Sequence, residues 1–200
     1  MKIVVFGATG VIGKAVVNEL SARHEIIQVG KTSGQYQVDF CDIAKVQELL
    51  DKLGSFDAII SAAGHTVSGT LEEMTPDKYA VGLRDKLMGQ VNLVIAGQRH
   101  LGAGGSITLT SGVLSHHPVI GTTNTAMVNG ALEAFVRTAS VELLPKGIRL
   151  NVVSPTITVE TFPQSRKAFV GFEPIPASRV ALAYSRSVEG PETGKEYRVW

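Results

Sequence analysis

Three glycines near the start of the chain have a spacing that can do chemistry. Gly7, Gly10 and Gly13 fall in the run Gly7-Ala8-Thr9-Gly10-Val11-Ile12-Gly13, directly after the apolar stretch Ile3-Val4-Val5-Phe6. Ala15, Val16 and Leu20 then extend an apolar face at helical spacing with Val11 and Ile12. The pattern predicts a buried strand, a tight turn and a helix. A helix N-terminus presents unpaired N–H groups and a partial positive charge, which attract phosphate. Glycines let the backbone turn sharply and approach a pyrophosphate with no Cβ in the way. The expected ligand of this turn is therefore the phosphate portion of a nucleotide. The competing reading is a structural turn.

Other residues with chemical potential lie further along. Ser111 closes the run Ser106-Ile107-Thr108-Leu109-Thr110-Ser111, and His116 and His117 follow in a loop. A histidine titrates near neutral pH and can move protons, although a loop histidine is more often simply solvated. The histidine spacing does not suggest metal ligands, and no cysteine or carboxylate cluster is visible beside it, so no metal is expected.

The elements that must position these residues alternate between strand and helix. Glu25 to Gly30 reads as a second strand and Gln35 to Asp39 as a third, with only Lys31-Thr32-Ser33-Gly34 between them. A parallel crossover takes a dozen or more residues, so the helix that should join these strands is expected to be missing. Asp42 caps a helix carrying Val46, Leu49, Leu50 and Leu53 on one face. Asp57 to Ser61 is the fourth strand, running into Ala62-Ala63-Gly64. Thr75-Pro76 opens a long helix to about Leu101, with a bend expected near Gly89. Ser106 to Ser111 is the fifth strand, Thr123 to Leu144 a helix, Ile148 to Val153 the sixth strand, closed by Ser154-Pro155. Pro163 to Pro176 reads as irregular, one more helix carries Val180, Leu182, Ala183 and Val188, and Glu196 to Val199 is the last strand. The alternation predicts one domain over residues 1–200, an α/β doubly wound, mostly parallel sheet of about seven strands. Its ligand should lie beyond the carboxyl ends of the strands, where the glycine turn, Ala62 to Gly64, Ser111 and Pro155 all fall.

Composition excludes several classes. The net charge is +1, with 44% hydrophobic and 18% charged residues, which gives no electrostatic case for nucleic acid or an anionic membrane. No apolar run approaches the roughly 20 residues of a membrane helix, and no signal peptide is visible. Cys41 is the single cysteine, which fits a reducing, cytoplasmic location.

With these motifs in place, the chain resembles the short-chain dehydrogenase/reductase family over nearly its whole length. Gly7 to Gly13 is similar to the family's cofactor turn, in a form closer to its atypical NAD(P)-binding members. Asp39-Phe40 sits where the family places an Asp and its neighbour against adenine. Ser61-Ala62-Ala63-Gly64 matches the stretch that ends strand four, and Thr110-Ser111 the pair that ends strand five. Asn129 to Phe135 resembles a run on the fifth long helix, Asn151 to Pro155 the segment that closes strand six, and Thr193-Gly194-Lys195 the turn before the last strand. The resemblance implies a Rossmann-type fold, a nicotinamide dinucleotide, a small carbonyl or alcohol as substrate, and a homodimer formed through the fourth and fifth long helices.

The departures bear on activity. The family's Tyr-x-x-x-Lys pair aligns with Thr125 and Asn129, its catalytic Asn with Lys86, and only the Ser, Ser111, is unchanged. A threonine hydroxyl has a pKa far above the phenol value of about 10, so it moves protons poorly near neutral pH. Lys86 would return a positive charge to the crevice, orienting the cofactor ribose or polarising a carbonyl together with Ser111. An exposed helix lysine is the competing reading. At the end of strand two, where an acidic residue would bind the adenine ribose of NAD, the chain has Lys31, Thr32 and Ser33, which suit a 2′-phosphate. The expected cofactor is NADP(H). The expected function is an oxidoreductase with an altered proton relay, or alternatively a non-catalytic NADP(H) sensor or scaffold. The segment Pro163 to Pro176, with Phe162, Phe169 and Phe172, is expected to cover the site as a lid.

Overall fold

The computed structural model describes residues 1–200. Seven strands form one parallel sheet: β1 (Lys2–Phe6), β2 (Glu25–Gly30), β3 (Tyr36–Gln37), β4 (Ala58–Ser61), β5 (Ser106–Thr110), β6 (Arg149–Pro155) and β7 (Glu196–Val199). Their order across the sheet is β3-β2-β1-β4-β5-β6-β7, and every pair is parallel. A parallel sheet is covered on both faces, so its strands are almost continuously apolar. β4 and β5 are buried at every position.

Two hydrophobic cores lie on opposite sides of this sheet. Helices α2 (Ile43–Leu53), α4 (Gly89–Gly97) and α5 (Thr123–Leu143) pack on one face over a core of 22 residues that includes Phe40, Leu50, Leu93, Ile107 and Leu132. Helices α1 (Val11–Leu20) and α7 (Ala177–Glu189) cover the other face over 13, including Ile3, Val16, Ile60 and Tyr184. The smaller core follows from the missing helix. β2 and β3 are joined by residues 31–35 alone, so α1 and α7 are the helices left on that side. β3 is correspondingly shorter than the expected Gln35 to Asp39, pairing with β2 only through Val29↔Tyr36 and Gly30↔Gln37.

Local capping follows the sequence. Asp42 Oδ1 accepts from the amides of Ala44 and Lys45, and Thr75 Oγ1 accepts from Lys78 ahead of Pro76, the first residue of α3 (Pro76–Gly82). The long helix is not a single rod bent at Gly89. It breaks earlier, into a π-helical turn at Leu83–Met88, and the α-helical part ends at Gly97 rather than near Leu101. π-turns insert one extra residue and swing a side chain out of register, and they concentrate at functional sites. Lys86 lies inside this one. The remaining helix, α6 (Phe162–Ser165), is a single turn in the segment expected to be irregular.

Candidate functional site

The order of the strands reverses at β1, which has β2 on one side and β4 on the other. The crevice beyond their carboxyl ends is where a doubly wound sheet binds its ligand. Three groups of residues meet there.

The first group is the glycine turn. Gly7 N donates to Val29 O at 2.8 Å and Gly10 N to Gly7 O at 3.0 Å, folding the chain from β1 into α1. A Cβ on Gly13 would lie 1.9 Å from Gly7 O, so α1 can sit this close to the turn only with glycine there. Gly7 has φ +78°, and a Cβ on it would meet Ala62 O at 2.6 Å. Gly10 caps α1 without any side-chain hydrogen bond, leaving the first amides of the helix, from Val11, Ile12 and Gly13, open to an external acceptor. A narrow backbone cradle that Cβ atoms would fill, set at an uncapped helix N-terminus, fits a pyrophosphate.

The second group lies beside the first, at the end of β2. Ser33 Oγ donates to Thr9 Oγ1 at 3.0 Å, joining the 31–35 link to the glycine turn. Lys31 Nζ lies 2.8 Å from Asp39 Oδ2. That pair holds the Lys31 ammonium above its usual range and the Asp39 carboxyl below its own, chiefly through the hydrogen bond between them. Lys31 and Asp39 were expected as separate contacts, to a 2′-phosphate and to adenine. The structure makes them one ion pair on the rim. Phe40 differs more. Its side chain is only 7% exposed and belongs to the core, with its ring against Gly89, so only its backbone could face a nucleotide. A phenylalanine beside a two-residue edge strand buries its ring because the core of α2 and α4 lies directly beneath it.

The third group closes the far end of the crevice. Lys86 Nζ donates to the carbonyl of Ser111 at 3.0 Å, crossing from the π-turn to the end of β5. Gly64 makes room for it: a Cβ on Gly64 would sit 2.7 Å from Lys86 Cγ. Lys86 is half-buried as a residue, but its ammonium end is taken out of water, and that desolvation lowers its pKa to about 8, with Glu133 pulling weakly the other way. Asn129 Nδ2 donates to Gly112 O at 3.1 Å, while its Oδ1 is buried without a partner. Ser111 Oγ, Ser61 Oγ, Ser154 Oγ and Thr156 Oγ1 are buried without partners too. Polar atoms of this kind are rare in a finished core. Those of Ser61, Ser111, Ser154 and Thr156 cluster at the carboxyl ends of β4, β5 and β6. They form a polar layer beneath the surface at the strand ends, between the glycine turn and Ser111. Thr125 Oγ1, by contrast, lies 2.7 Å from Thr66 Oγ1, tying α5 to the stretch after β4.

Beyond Pro155, a cavity of about 270 Å³ is lined by Val113, His117, Thr156, Phe172, Ile175 and Trp200, among others. The His117 ring meets Trp200 and Phe172 edge-on at 4.8 and 6.2 Å between centroids. Phe172 and its neighbour Phe169 come from the segment expected as a lid, and that segment does form one wall. His116 points elsewhere, toward Glu133 and Glu196. No carboxylate cluster supporting a metal is expected at these histidines from the sequence, yet Glu133 and Glu196 lie beside His116, Glu196 arriving from a strand eighty residues downstream.

Sequence reasoning missed the π-turn that aims Lys86 and the fit between Gly64 and Lys86. A proline-capped helix carrying a lysine where a polar amide was aligned was the one available signal for Lys86.

The comparisons with known proteins agree with this fold. A family model described as Enoyl-(Acyl carrier protein) reductase matches residues 8–186, and the chain belongs to the short-chain dehydrogenase/reductase family. Among solved structures, the chain is similar to the protein lin1944 from Listeria innocua, 41% identical, with a TM-score of 0.97 and all of both chains covered. It is also similar to a small-chain dehydrogenase in complex with NADPH, at 28% identity and a TM-score of 0.88, covering 100% of this chain and 96% of that one. Among curated proteins, versicolorin reductase stcU of Emericella nidulans is 31% identical over 160 residues, 71% of this chain and 58% of that protein. The chain thus spans less than two thirds of the length of the curated relatives it matches.

Proposed function

We propose that the chain is an NADP(H)-dependent oxidoreductase acting on a small carbonyl or alcohol, with Lys86 as the proton donor that the missing tyrosine would have been. The observation that carries this reading is the position of Lys86: a desolvated ammonium, 3.0 Å from the Ser111 carbonyl, at the far end of a crevice with unpartnered hydroxyls beneath it. A general acid works best with a pKa near the operating pH. With its pKa at about 8, Lys86 is roughly nine-tenths protonated at pH 7. One of its three N–H groups is used on Ser111 O, and two remain for a substrate oxygen.

The glycine turn would hold the pyrophosphate on the amides of α1, and Ala62, Ala63 and Gly64 would pass beneath the ribose nearer the reacting end. Lys31, Thr32 and Ser33 would take the 2′-phosphate, with Asp39 orienting Lys31 and the Phe40 backbone beside the adenine. Asn129 Oδ1 would accept from a ribose hydroxyl, and Pro155 would back the nicotinamide. A nicotinamide cofactor held there would supply the hydride to the carbonyl carbon. Lys86 Nζ gives its proton to the carbonyl oxygen, Ser111 Oγ donates a hydrogen bond to the same oxygen, and neutral Lys86 is then reprotonated from solvent. The NADPH complex of a relative 28% identical supports the cofactor, as does the absence of an acidic side chain in residues 31–33. Exposed apolar side chains on α4 and α5, Ile95, Met127 and Val141, support a homodimer through those helices, and the single cysteine supports a cytoplasmic setting.

A panel of aldehydes, ketones and quinones, scanned by loss of NADPH absorbance, tests the proposal. Turnover with one class, lost at least a hundredfold in Lys86→Met with NADPH affinity within a few fold of wild type, is the expected result. NADPH binding with no turnover on any class would favour the second reading, a cofactor sensor, whose support is that Thr125 and Asn129 replace the usual pair and that Thr125 is already engaged by Thr66.

A further inference from the structure

We propose that His116, Glu133 and Glu196 form a binding site for a divalent transition metal of the zinc type, outside the nucleotide crevice. The three residues come from separate elements. His116 follows the turn Val113–Ser115 after β5, Glu133 lies on α5, and Glu196 opens β7. One ligand atom from each lies within 4.8 Å of the others.

The geometry is that of ligands converging on a point. His116 Nε2 is 2.7 Å from Glu196 Oε1 and 3.4 Å from Glu133 Oε2. A ring nitrogen carries at most one proton, and here that proton serves Glu196. Glu133 Oε2, on a side chain only 5% exposed, is left facing the same nitrogen at a distance too long for a good hydrogen bond. Zinc bonds of about 2.0–2.2 Å to nitrogen and oxygen put neighbouring tetrahedral ligands roughly 3.3–3.5 Å apart. The His116–Glu133 separation already has that value, the His116–Glu196 pair has to open once a metal replaces its proton, and the two carboxylate oxygens lie within 4.8 Å of each other.

The outer contacts are arranged to the same end. Each carboxylate has its far oxygen held by a donor: Ser115 Oγ lies 2.7 Å from Glu133 Oε1, and Arg198 Nη2 lies 3.1 Å from Glu196 Oε2. Ser115 Oγ is also 2.9 Å from Gly112 O, so its one proton is shared between the two. The near oxygens, Glu133 Oε2 and Glu196 Oε1, are both left turned toward His116. Partners of this kind orient metal ligands and raise their affinity. Two carboxylates against one guanidinium leave the cluster net negative when the imidazole is neutral. Sheet alternation puts Glu196 and Arg198 on one face of β7, and Trp200, just past its end, has its ring centroid 5.6 Å from that of His116. A metal here would pin the segment after β5 to β7 and brace the His117–Trp200 wall of the cavity. Three protein ligands leave a fourth position for water. Binding forms three metal–ligand bonds and releases the His116–Glu196 proton to buffer.

The test is equilibrium dialysis of the full chain, freed of metal by a chelator, against zinc, with metal counted per chain. Wild type is expected to bind one zinc, with Tm raised by roughly 5–10 °C at a hundred times the Kd. Glu133→Gln keeps the side-chain volume and should weaken binding at least tenfold, whereas His100→Ala, on the far side of the molecule beside Asp51, should change nothing. Should Glu133→Gln fold poorly, His116→Asn provides the same reading. Cobalt(II) should give the visible bands of a four-coordinate ion in wild type and lose them in His116→Asn. No stoichiometric zinc in wild type, or undiminished binding in both variants, would overturn the proposal and leave the cluster as a protonated ion pair.

Discussion

Replacing Lys86 by methionine separates the energy of this residue from its chemistry. Burial drops its pKa from 10.5 to about 8. At about 1.4 kcal/mol per pH unit, holding the ammonium in the crevice costs the fold roughly 3 kcal/mol at neutral pH. Methionine has a similar length and no charge, and it forfeits the hydrogen bond to Ser111 O, about 1 kcal/mol. Lys86→Met should therefore be more stable than wild type by about 2 kcal/mol at pH 7, a rise in Tm of roughly 4–8 °C, while losing turnover. The gap has a definite pH dependence. Between the folded pKa of about 8 and the unfolded value of 10.5, the unfolded chain binds the extra proton, so wild-type stability rises with pH across that window. The advantage of the variant should be complete below pH 8 and largely gone by pH 10. Thermal melts of both proteins at pH 7, 8.5 and 10 would show it. In carbonyl reduction, wild-type turnover should fall as pH rises through about 8, as the acid form is lost. A variant that is less stable than wild type at every pH, by an amount that does not change, would refute the reasoning, since it would mean that Lys86 is an ordinary supporting side chain.

Three further outcomes are expected. Gly13→Ala drives a Cβ to within 1.9 Å of Gly7 O; the turn must shift, lowering stability by about 1–3 kcal/mol and NADPH affinity by more than tenfold, as calorimetry would read. Thr125→Val removes the bond to Thr66 and should destabilise by about 1 kcal/mol, with turnover reduced by less than the hundredfold that loss of a general acid brings. Tyr184→Phe tests the polar bridge beneath the site. Thr110 Oγ1 donates to Ser61 O, so the Tyr184 hydroxyl donates to Thr110. Losing that donor should lower Tm by roughly 2–4 °C, with cofactor binding unchanged.

The fold was largely legible because its signals are local. A glycine turn between an apolar run and a helical pattern, a capping Asp42, and Thr75-Pro76 each fix an element from a few residues. The short link from Lys31 to Gly34 even predicted which helix would be missing. Three features of the site were not local. Lys86 stands out in the sequence only through the family resemblance, but what aims it at Ser111 is a π-turn, a one-residue change of hydrogen-bond register that no periodicity reports. Its space comes from Gly64, twenty-two residues away. Phe40 misled because a motif gives the path of the backbone and not the side on which a ring is buried; the core under α4 decided that. His116 looked isolated because its partners, Glu133 and Glu196, are brought to it only by the β5–β6–β7 order.

The most direct measurement is calorimetric titration of the purified protein with NADPH and with NADH, repeated for Lys31→Glu. NADPH should bind at least tenfold more tightly than NADH, and Lys31→Glu should remove most of that difference, since a charge-assisted contact to phosphate is worth about 1.5–3 kcal/mol. Failure of both cofactors to bind, or a preference that survives Lys31→Glu intact, would contradict the assignment of this crevice to NADP(H).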